Sequence, residues 1–173
     1  CYENKNKTDT YFNEKSKLGG DDPYSASKAC KEIIFNAYLK SFYNNTNVGL
    51  ATVRAGNVIG GGDWSENRII PDCARSIIKN KKLILRNPNS IRPWQHVLDV
   101  LSGYLLLVKK LYLEKKKKRF NSNYNFGPNE RKKYKVKFIV NSFFKILKIN
   151  KKKVILAEKQ KYNDKKIILL NSS

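Results

Sequence analysis

The stretch Val48-Gly49-Leu50-Ala51-Thr52-Val53-Arg54-Ala55-Gly56-Asn57-Val58-Ile59-Gly60-Gly61-Gly62-Asp63-Trp64 decides the fold. Its first seven residues are mostly apolar, with β-branched side chains and no regular polar interruption. That pattern reads as a strand covered on both faces, the kind found in parallel sheets. Gly56 to Asp63 is expected to be a glycine-rich loop, and the C-terminal end of a parallel strand is where α/β sheets place ligands. Asn57 offers both a donor and an acceptor to a polyhydroxylated molecule, and the glycines let backbone approach it. The same letters also describe a plain tight turn.

Upstream, Asp22-Pro23 opens a helical pattern. Ala26, Ala29, Cys30, Ile33, Ile34, Ala37, Tyr38 and Phe42 recur at three- and four-residue spacing, with Pro23 where a first-turn proline is tolerated. Downstream, Ile69 to Ile78 is predicted as a short helix, Leu83 to Leu85 as a strand and Val97 to Leu113 as a long amphipathic helix. Asn123 to Phe126 reads as a strand, Lys135 to Lys148 as a helix, and Val154 to Leu156 and Ile167 to Leu170 as strands. Helices alternate with single strands, so an α/β fold is expected. The lysine run Lys115 to Lys118 reads as a solvated loop.

Tyr24 and Lys28 form a Tyr-x-x-x-Lys pair at the start of that first helix, where residues four apart share a face. A tyrosine of ordinary pKa, near 10, is a poor base at neutral pH, and lowering it by about three units takes roughly 4 kcal/mol. A lysine ammonium beside a cationic nicotinamide could supply that, and such a tyrosine removes a hydroxyl proton while hydride leaves the same carbon. The bare pattern is weak. Tyr11/Lys15, Tyr112/Lys116 and Tyr162/Lys166 share the spacing, and a surface tyrosine beside a lysine accounts for most of them. Only Tyr24/Lys28 opens a strongly periodic helix behind Asp-Pro.

Farther along, Ile91-Arg92-Pro93-Trp94-Gln95-His96-Val97 sets an arginine, an indole and the sole histidine together, with Arg86 just upstream. Two guanidinium forks suit a diphosphate, which they grip in a planar, bidentate way that lysines do not. Trp94 suits stacking on a ring and equally burial in the core. His96, without a neighbouring carboxylate motif, reads as a packing or hydrogen-bonding residue.

The chain has 173 residues, enough for one domain with a real core, and 40% hydrophobic composition excludes disorder throughout. Nothing approaches the roughly 18 consecutive apolar residues of a membrane helix, and the start lacks a signal peptide's apolar core. A soluble, cytoplasmic protein is expected. Cys1, Cys30 and Cys73 lack zinc-site spacing and read as buried, reduced thiols. The formal charge of +22 sits mostly in residues 109–173, which carry 21 Lys and Arg against 4 Asp and Glu. A nucleic-acid binder would supply such a field. Yet 29 of the 36 basic residues are lysine, in company with Asn and Ile, all drawn from AT-rich codons. Nucleic acid is therefore disfavoured as a partner.

Taken in order, a set of motifs carries a resemblance. They are Cys1-Tyr2-Glu3-Asn4, Gly19-Gly20-x-Asp22-Pro23-Tyr24-Ser25-x-Ser27-Lys28, the Arg54 to Trp64 block, and Arg68-x-Ile70-Pro71-Asp72. Arg86-Asn87-Pro88-x-Ser90-Ile91-Arg92-Pro93-Trp94-Gln95-His96-Val97-Leu98, Leu101-Ser102-Gly103-Tyr104-Leu105-Leu106-Leu107 and Asn125-Phe126-Gly127-Pro128 complete it. The set resembles the sugar-nucleotide dehydratase branch of the extended short-chain dehydrogenase/reductase family, densely from Cys1 to about Pro128.

The resemblance implies an α/β fold, the C-terminal portion of an extended short-chain dehydrogenase Rossmann-like fold plus the smaller substrate-binding region. Residues 1–60 would be the C-terminal part of the NAD-binding domain. Residues 61–173 would be mainly the substrate-binding region, with segments returning to the main sheet and the C-terminus truncated. It implies NAD as cofactor and CDP-glucose as substrate, in deoxysugar biosynthesis of the kind that feeds O-antigen lipopolysaccharide. CDP-D-glucose would lose water to give CDP-4-dehydro-6-deoxy-D-glucose.

By that analogy Tyr24 and Lys28 are catalytic, and Tyr24, Lys28, Asn57 and Val58 bind the cofactor. Asn57, Arg68, Arg86, Arg92 and Trp94 bind substrate, no residue binds metal, and a homodimer is the family expectation. Tyr24 would deprotonate the sugar 4-hydroxyl while hydride passes from C4 to NAD, water would leave across C5 and C6, and the hydride would return to C6. The family's glycine-rich dinucleotide turn and its Thr-Ser-Asp-Lys elimination segment are not in this sequence, which also contains no Met. A fragment, inactive by itself, is therefore expected. A sugar-nucleotide 4-epimerase of the same family and a basic nucleic-acid-binding module are the alternatives.

Overall fold

The computed structural model describes residues 2–3, 11–128, 133–149, 154–156 and 167–171. Among them the chain builds helices α1 (Pro23–Ser41), α2 (Ile69–Ile78), α3 (Val97–Leu113) and α4 (Val136–Ile146). The strands are β1 (Tyr11–Phe12), β2 (Thr52–Ala55), β3 (Asn57–Ile59), β4 (Leu83–Leu85), β5 (Trp94–His96), β6 (Asn123–Phe126), β7 (Val154–Leu156) and β8 (Leu169–Leu170). Every strand pair is parallel: β1 with β8, β2 with β6, β3 with β5, and β4 with β7. The α/β class expected from the alternation is what the chain adopts.

α1 begins where Asp22 caps it. Its carboxylate accepts from Ser25 N at 2.9 Å and from Ser25 Oγ at 2.6 Å, and Pro23 occupies the first turn. β2 starts at Thr52 rather than Val48, which is 43% exposed. The segment expected to be only a loop contains β3, because the β-branched Val58 and Ile59 find the equally unanticipated β5. Between β2 and β3 the chain changes partners at one residue. Gly56 N donates to Phe126 O at 3.0 Å and Asn57 N donates to Pro93 O at 2.9 Å. A Cβ at position 56 would lie 2.4 Å from Pro93 O, so only glycine passes this crossing.

The larger core cluster lies between α2, β4 and α4. Cys73, Leu83, Leu85, Val140 and Phe144 are buried there, with Ile69, Ile77, Val136 and Phe143 packed around them. A smaller one joins Phe12 and Leu170 to Tyr2, whose ring stacks on Phe12 at 4.9 Å between centroids.

The helices correct the expectation of where apolar faces point. On α1 the buried residues are Ser25, Ala29 and Glu32, whereas Ile33, Ile34, Tyr38 and Phe42 are each more than half exposed. On α3 only Val100 is buried, and Leu98, Leu105, Leu106 and Val108 face outward. Periodicity defines a stripe but not its cover. Cys30, on the outward flank of α1, is exposed rather than buried, and Cys1 lies outside the described residues. In the lysine run, Lys118 is half-buried and its Nζ donates to Tyr43 O at 2.6 Å. No helix among the described residues is long and apolar enough to cross a membrane.

Candidate functional site

A cavity of about 520 Å³ opens where β2 hands over to β3. Tyr24, Asn57, Val58, Arg68, Arg92 and Trp94, all singled out in the sequence, line it. Tyr24 comes from the first turn of α1, Asn57 and Val58 from β3, Arg68 from the residue before α2, and Arg92 and Trp94 from the start of β5 and the segment leading into it. Lys28 and Arg86 are not among the lining residues. Lys28 stands one turn along α1, with Nζ 5.3 Å from the Tyr24 ring centroid, over the ring face. Arg86 reaches the rim, where its Nη2 donates to Asn67 Oδ1 at 3.2 Å.

The Tyr24 side chain is open to solvent, with the residue 70% exposed. The Asn57 amide makes no hydrogen bond to the described residues, which leaves its donor and acceptor for a ligand. Arg92 is buried, its Nη1 donating to Ile91 O at 2.9 Å. Trp94 Nε1 donates to Tyr134 O at 3.2 Å, which fixes the half-buried indole in the wall. His96 is a capping residue, its Nδ1 accepting from Leu98 N at 3.2 Å at the start of α3. That is a hydrogen-bonding role of the kind read from the sequence.

Behind the cavity lies a buried polar network that sequence reasoning missed. Arg54 Nε donates to Glu32 Oε1 at 3.0 Å and Nη2 to Glu32 Oε2 at 3.2 Å, while Nη1 donates to the Tyr2 hydroxyl at 2.7 Å. The Tyr2 hydroxyl in turn donates to Asn125 Oδ1, and Asn125 Nδ2 donates to Phe12 O at 2.9 Å and to Asn171 O at 3.1 Å. Five segments distant in sequence are thereby tied to one guanidinium. Burial alone would draw the Arg54 proton affinity down, but its bonds to Glu32 and Tyr2 outweigh that and hold it above the ordinary value. Burial pushes the Tyr2 phenol up, against the opposing pull of Arg54. One signal existed: an arginine inside an otherwise apolar strand must have a partner.

The rim differs from this interior. Asp63 is held below the usual carboxylate range by hydrogen bonds from Ser65, with Arg68 and Arg75 adding positive charge nearby. No group of three or more His, Cys, Asp or Glu among the described residues is placed to hold a metal ion. The site therefore combines a solvent-reachable phenol with a cation beside it, an amide without a hydrogen-bond partner among the described residues, and the arginines Arg68 and Arg92 on the same cavity. Such a set suits proton removal from a hydroxyl of an anionic, polyhydroxylated ligand.

The chain is similar to known proteins. Over 145 residues, 81% of this chain and 40% of the relative, the sequence is 50% identical to CDP-glucose 4,6-dehydratase of Salmonella typhimurium. The chain thus spans about 40% of the length of that curated relative. The crystal structure of dTDP-glucose 4,6-dehydratase from Bacillus anthracis in complex with NAD superposes with a TM-score of 0.74 at 24% identity, over 96% of this chain and 48% of that one. The dTDP-glucose 4,6-dehydratase of Streptomyces venezuelae, with NAD bound, gives 0.78 at 19% identity, over 95% and 47%. These two likenesses show the fold, a Rossmann-like arrangement of parallel strands and helices. Residues 1–123 match the model of the NAD dependent epimerase/dehydratase family, and the chain belongs to that family.

Proposed function

We propose that this chain is the substrate-facing part of a sugar-nucleotide 4,6-dehydratase that converts CDP-D-glucose to CDP-4-dehydro-6-deoxy-D-glucose with NAD. The observation that carries the reading is the meeting of Tyr24, Asn57, Arg68 and Arg92 on one cavity, with Lys28 over the Tyr24 ring. The 50% identity to a CDP-glucose 4,6-dehydratase supports the choice of substrate. In this reading residues 1–60 belong to the nucleotide-binding domain and residues 61–173 mainly to the substrate region. The protein works in the cytoplasm as a homodimer, in deoxysugar biosynthesis.

The residues present fit the nicotinamide-ribose end of NAD. A phenol and an ammonium share one helix flank, and the Asn57 amide, which has no hydrogen bond among the described residues, lines the same cavity as the phenol at the strand switch. Tyr24, Lys28, Asn57 and Val58 would hold it. When bound, NAD would supply the hydride acceptor for the sugar C4 and the hydride donor for C6.

The chain's own residues do the rest. The Tyr24 hydroxyl, as phenolate, takes the proton of the sugar 4-hydroxyl, and Lys28 places positive charge beside it. Asn57 orients the sugar by accepting and donating at its hydroxyls. Arg92 and Arg68, which line the same cavity, neutralise the diphosphate. Trp94 closes the wall against water. Arg86 acts at the rim through Asn67. Water loss across C5 and C6 draws its acid and base from outside these residues.

The test is a chimera in which this sequence replaces the aligned 145-residue stretch of the Salmonella enzyme. Incubated with CDP-glucose, it is expected to yield the 4-keto product, 18 mass units lighter by loss of one water. CDP-galactose as the product instead would establish epimerisation and overturn the proposal.

A further inference from the structure

The loop from Gly60 to Asn67 brings Asp63 and Asn67 to the cavity and delivers Arg68 just beyond them. Its own packing does little to hold it. A Cβ at Gly61 or Gly62 would meet nothing within 4 Å, Gly62 and Asn67 sit at φ of 77° and 60°, and Trp64 is 58% exposed. Two arginines reach the loop from outside: Arg86, whose Nη2 donates to the Asn67 side chain at its end, and Arg75, in the second turn of α2, which holds its backbone. The Arg75 Nη1 donates to Trp64 O at 2.6 Å and its Nη2 to Ser65 O at 2.9 Å. The same Nη2 pairs with the carboxylate of Asp72, three residues earlier on the helix, which aims the guanidinium. A planar fork is suited to gripping two successive carbonyls in fixed geometry, and a lysine ammonium is not.

We propose that Arg75 is a positioning residue, a latch that fastens the Gly60–Asn67 loop to α2 and so holds Asp63, Asn67 and Arg68 facing the cavity. The inference rests on the proposed function only in naming CDP-glucose as the molecule those residues meet. Arg75 touches loop backbone and does not line the cavity. Its effect on a ligand is therefore indirect, through the fraction of time the loop spends in place.

The chain contains two tryptophans, Trp64 on the loop and Trp94 in the cavity wall, so each reports on its own surroundings. Labelling the full chain with 5-fluorotryptophan and assigning the lines with Trp64→Phe gives the readout. In Arg75→Ala the Trp64 fluorine line is expected to narrow and move toward the free-tryptophan position while the Trp94 line stays put. An unchanged Trp64 line overturns the latch. If Arg75→Ala disturbs both lines, the milder Arg75→Lys and Asp72→Asn decide. A graded change confined to Trp64 supports the latch, and no Trp64-specific change in either overturns it. Titrating CDP-glucose into the same samples is expected to show affinity reduced about tenfold in Arg75→Ala, as when the competent loop is populated one time in ten. Equal affinities overturn the positioning role. Absence of any response in the wild-type chain counts against the substrate assignment, and the ligand-free spectra still judge the latch.

Discussion

Glu32 and Arg54 close a two-point ion pair between α1 and β2 in which the arginine side chain is 7% and the glutamate 9% exposed. Glu32 lies seven residues after Ser25 and three after Ala29, and these three are the buried residues of α1. Thr52 Oγ1 donates to the same carboxylate at 2.9 Å. The pair therefore fixes how far α1 is rotated about its axis, and with it the flank on which Tyr24 and Lys28 stand. Arg54 also lines the cavity, so the group that orients the helix is itself part of the site's floor.

Removing one partner should be severe. Glu32→Ala leaves a buried guanidinium without its counter-charge, which costs about 3–5 kcal/mol. Urea unfolding of the chain followed by circular dichroism checks this. Replacing both partners by apolar residues of similar size should restore part of the loss, and a double-mutant cycle reads the coupling. A single-variant cost below about 1 kcal/mol would show that the helix is oriented by something else.

Tyr24 behaves oppositely, since its side chain is exposed and its cation neighbour sits over the ring face. Tyr24→Phe is expected to change stability by less than about 0.5 kcal/mol. In the chimera with the Salmonella enzyme it should leave NAD bound and lower turnover by roughly a hundredfold or more, the scale of a lost general base. Retained turnover in Tyr24→Phe would remove Tyr24 from the chemistry.

Asp22→Ala probes the start of the same helix. It deletes the acceptor for Ser25 N and Ser25 Oγ and should cost about 1 kcal/mol, visible as a lower midpoint in thermal unfolding. Asp22→Asn retains a side-chain acceptor and should recover most of that loss. Because Tyr24 lies in this first turn, fraying of the cap should also loosen the Tyr24–Lys28 contact.

The bounds of α2 and α3 were legible in the sequence because each is written by apolar spacing that local geometry reads directly. β6 and β7 also fall on the residues expected. β1 and β5 were not legible, since strands of two or three residues exist only through pairing with distant segments: Tyr11 with Leu169, and Trp94 with Asn57. The site divides the same way. Tyr24 and Lys28 lie one turn apart on α1, a local relation. The Tyr2, Arg54 and Asn125 network spans more than a hundred residues, and only the oddity of an arginine in a strand hinted at it. Arg86 was singled out by residue type alone, and its position, hydrogen-bonded to Asn67 at the rim, is a relation that only the fold supplies.

Cys73 links the larger core cluster to pH. It has no exposed surface, and burial pushes its thiol up to about 12 from 9.0, with the nearby Asp72 adding to the effect. The folded state therefore keeps the proton over a range in which the unfolded chain releases it. The associated stability is fully present below pH 9 and is lost as pH rises toward 12, at about 1.4 kcal/mol per pH unit. Other groups titrate in that range, so the measurement is the difference between wild type and Cys73→Ala. At neutral pH the variant should be the less stable of the two through its small cavity. The wild-type advantage should shrink steadily above pH 9. Thiol labelling at pH 8 supplies an independent reading, because the exposed Cys30 should react at once and Cys73 only at the rate of unfolding. If Cys73 is labelled as fast as Cys30, the α2, β4 and α4 core is open, and the pH dependence should vanish with it.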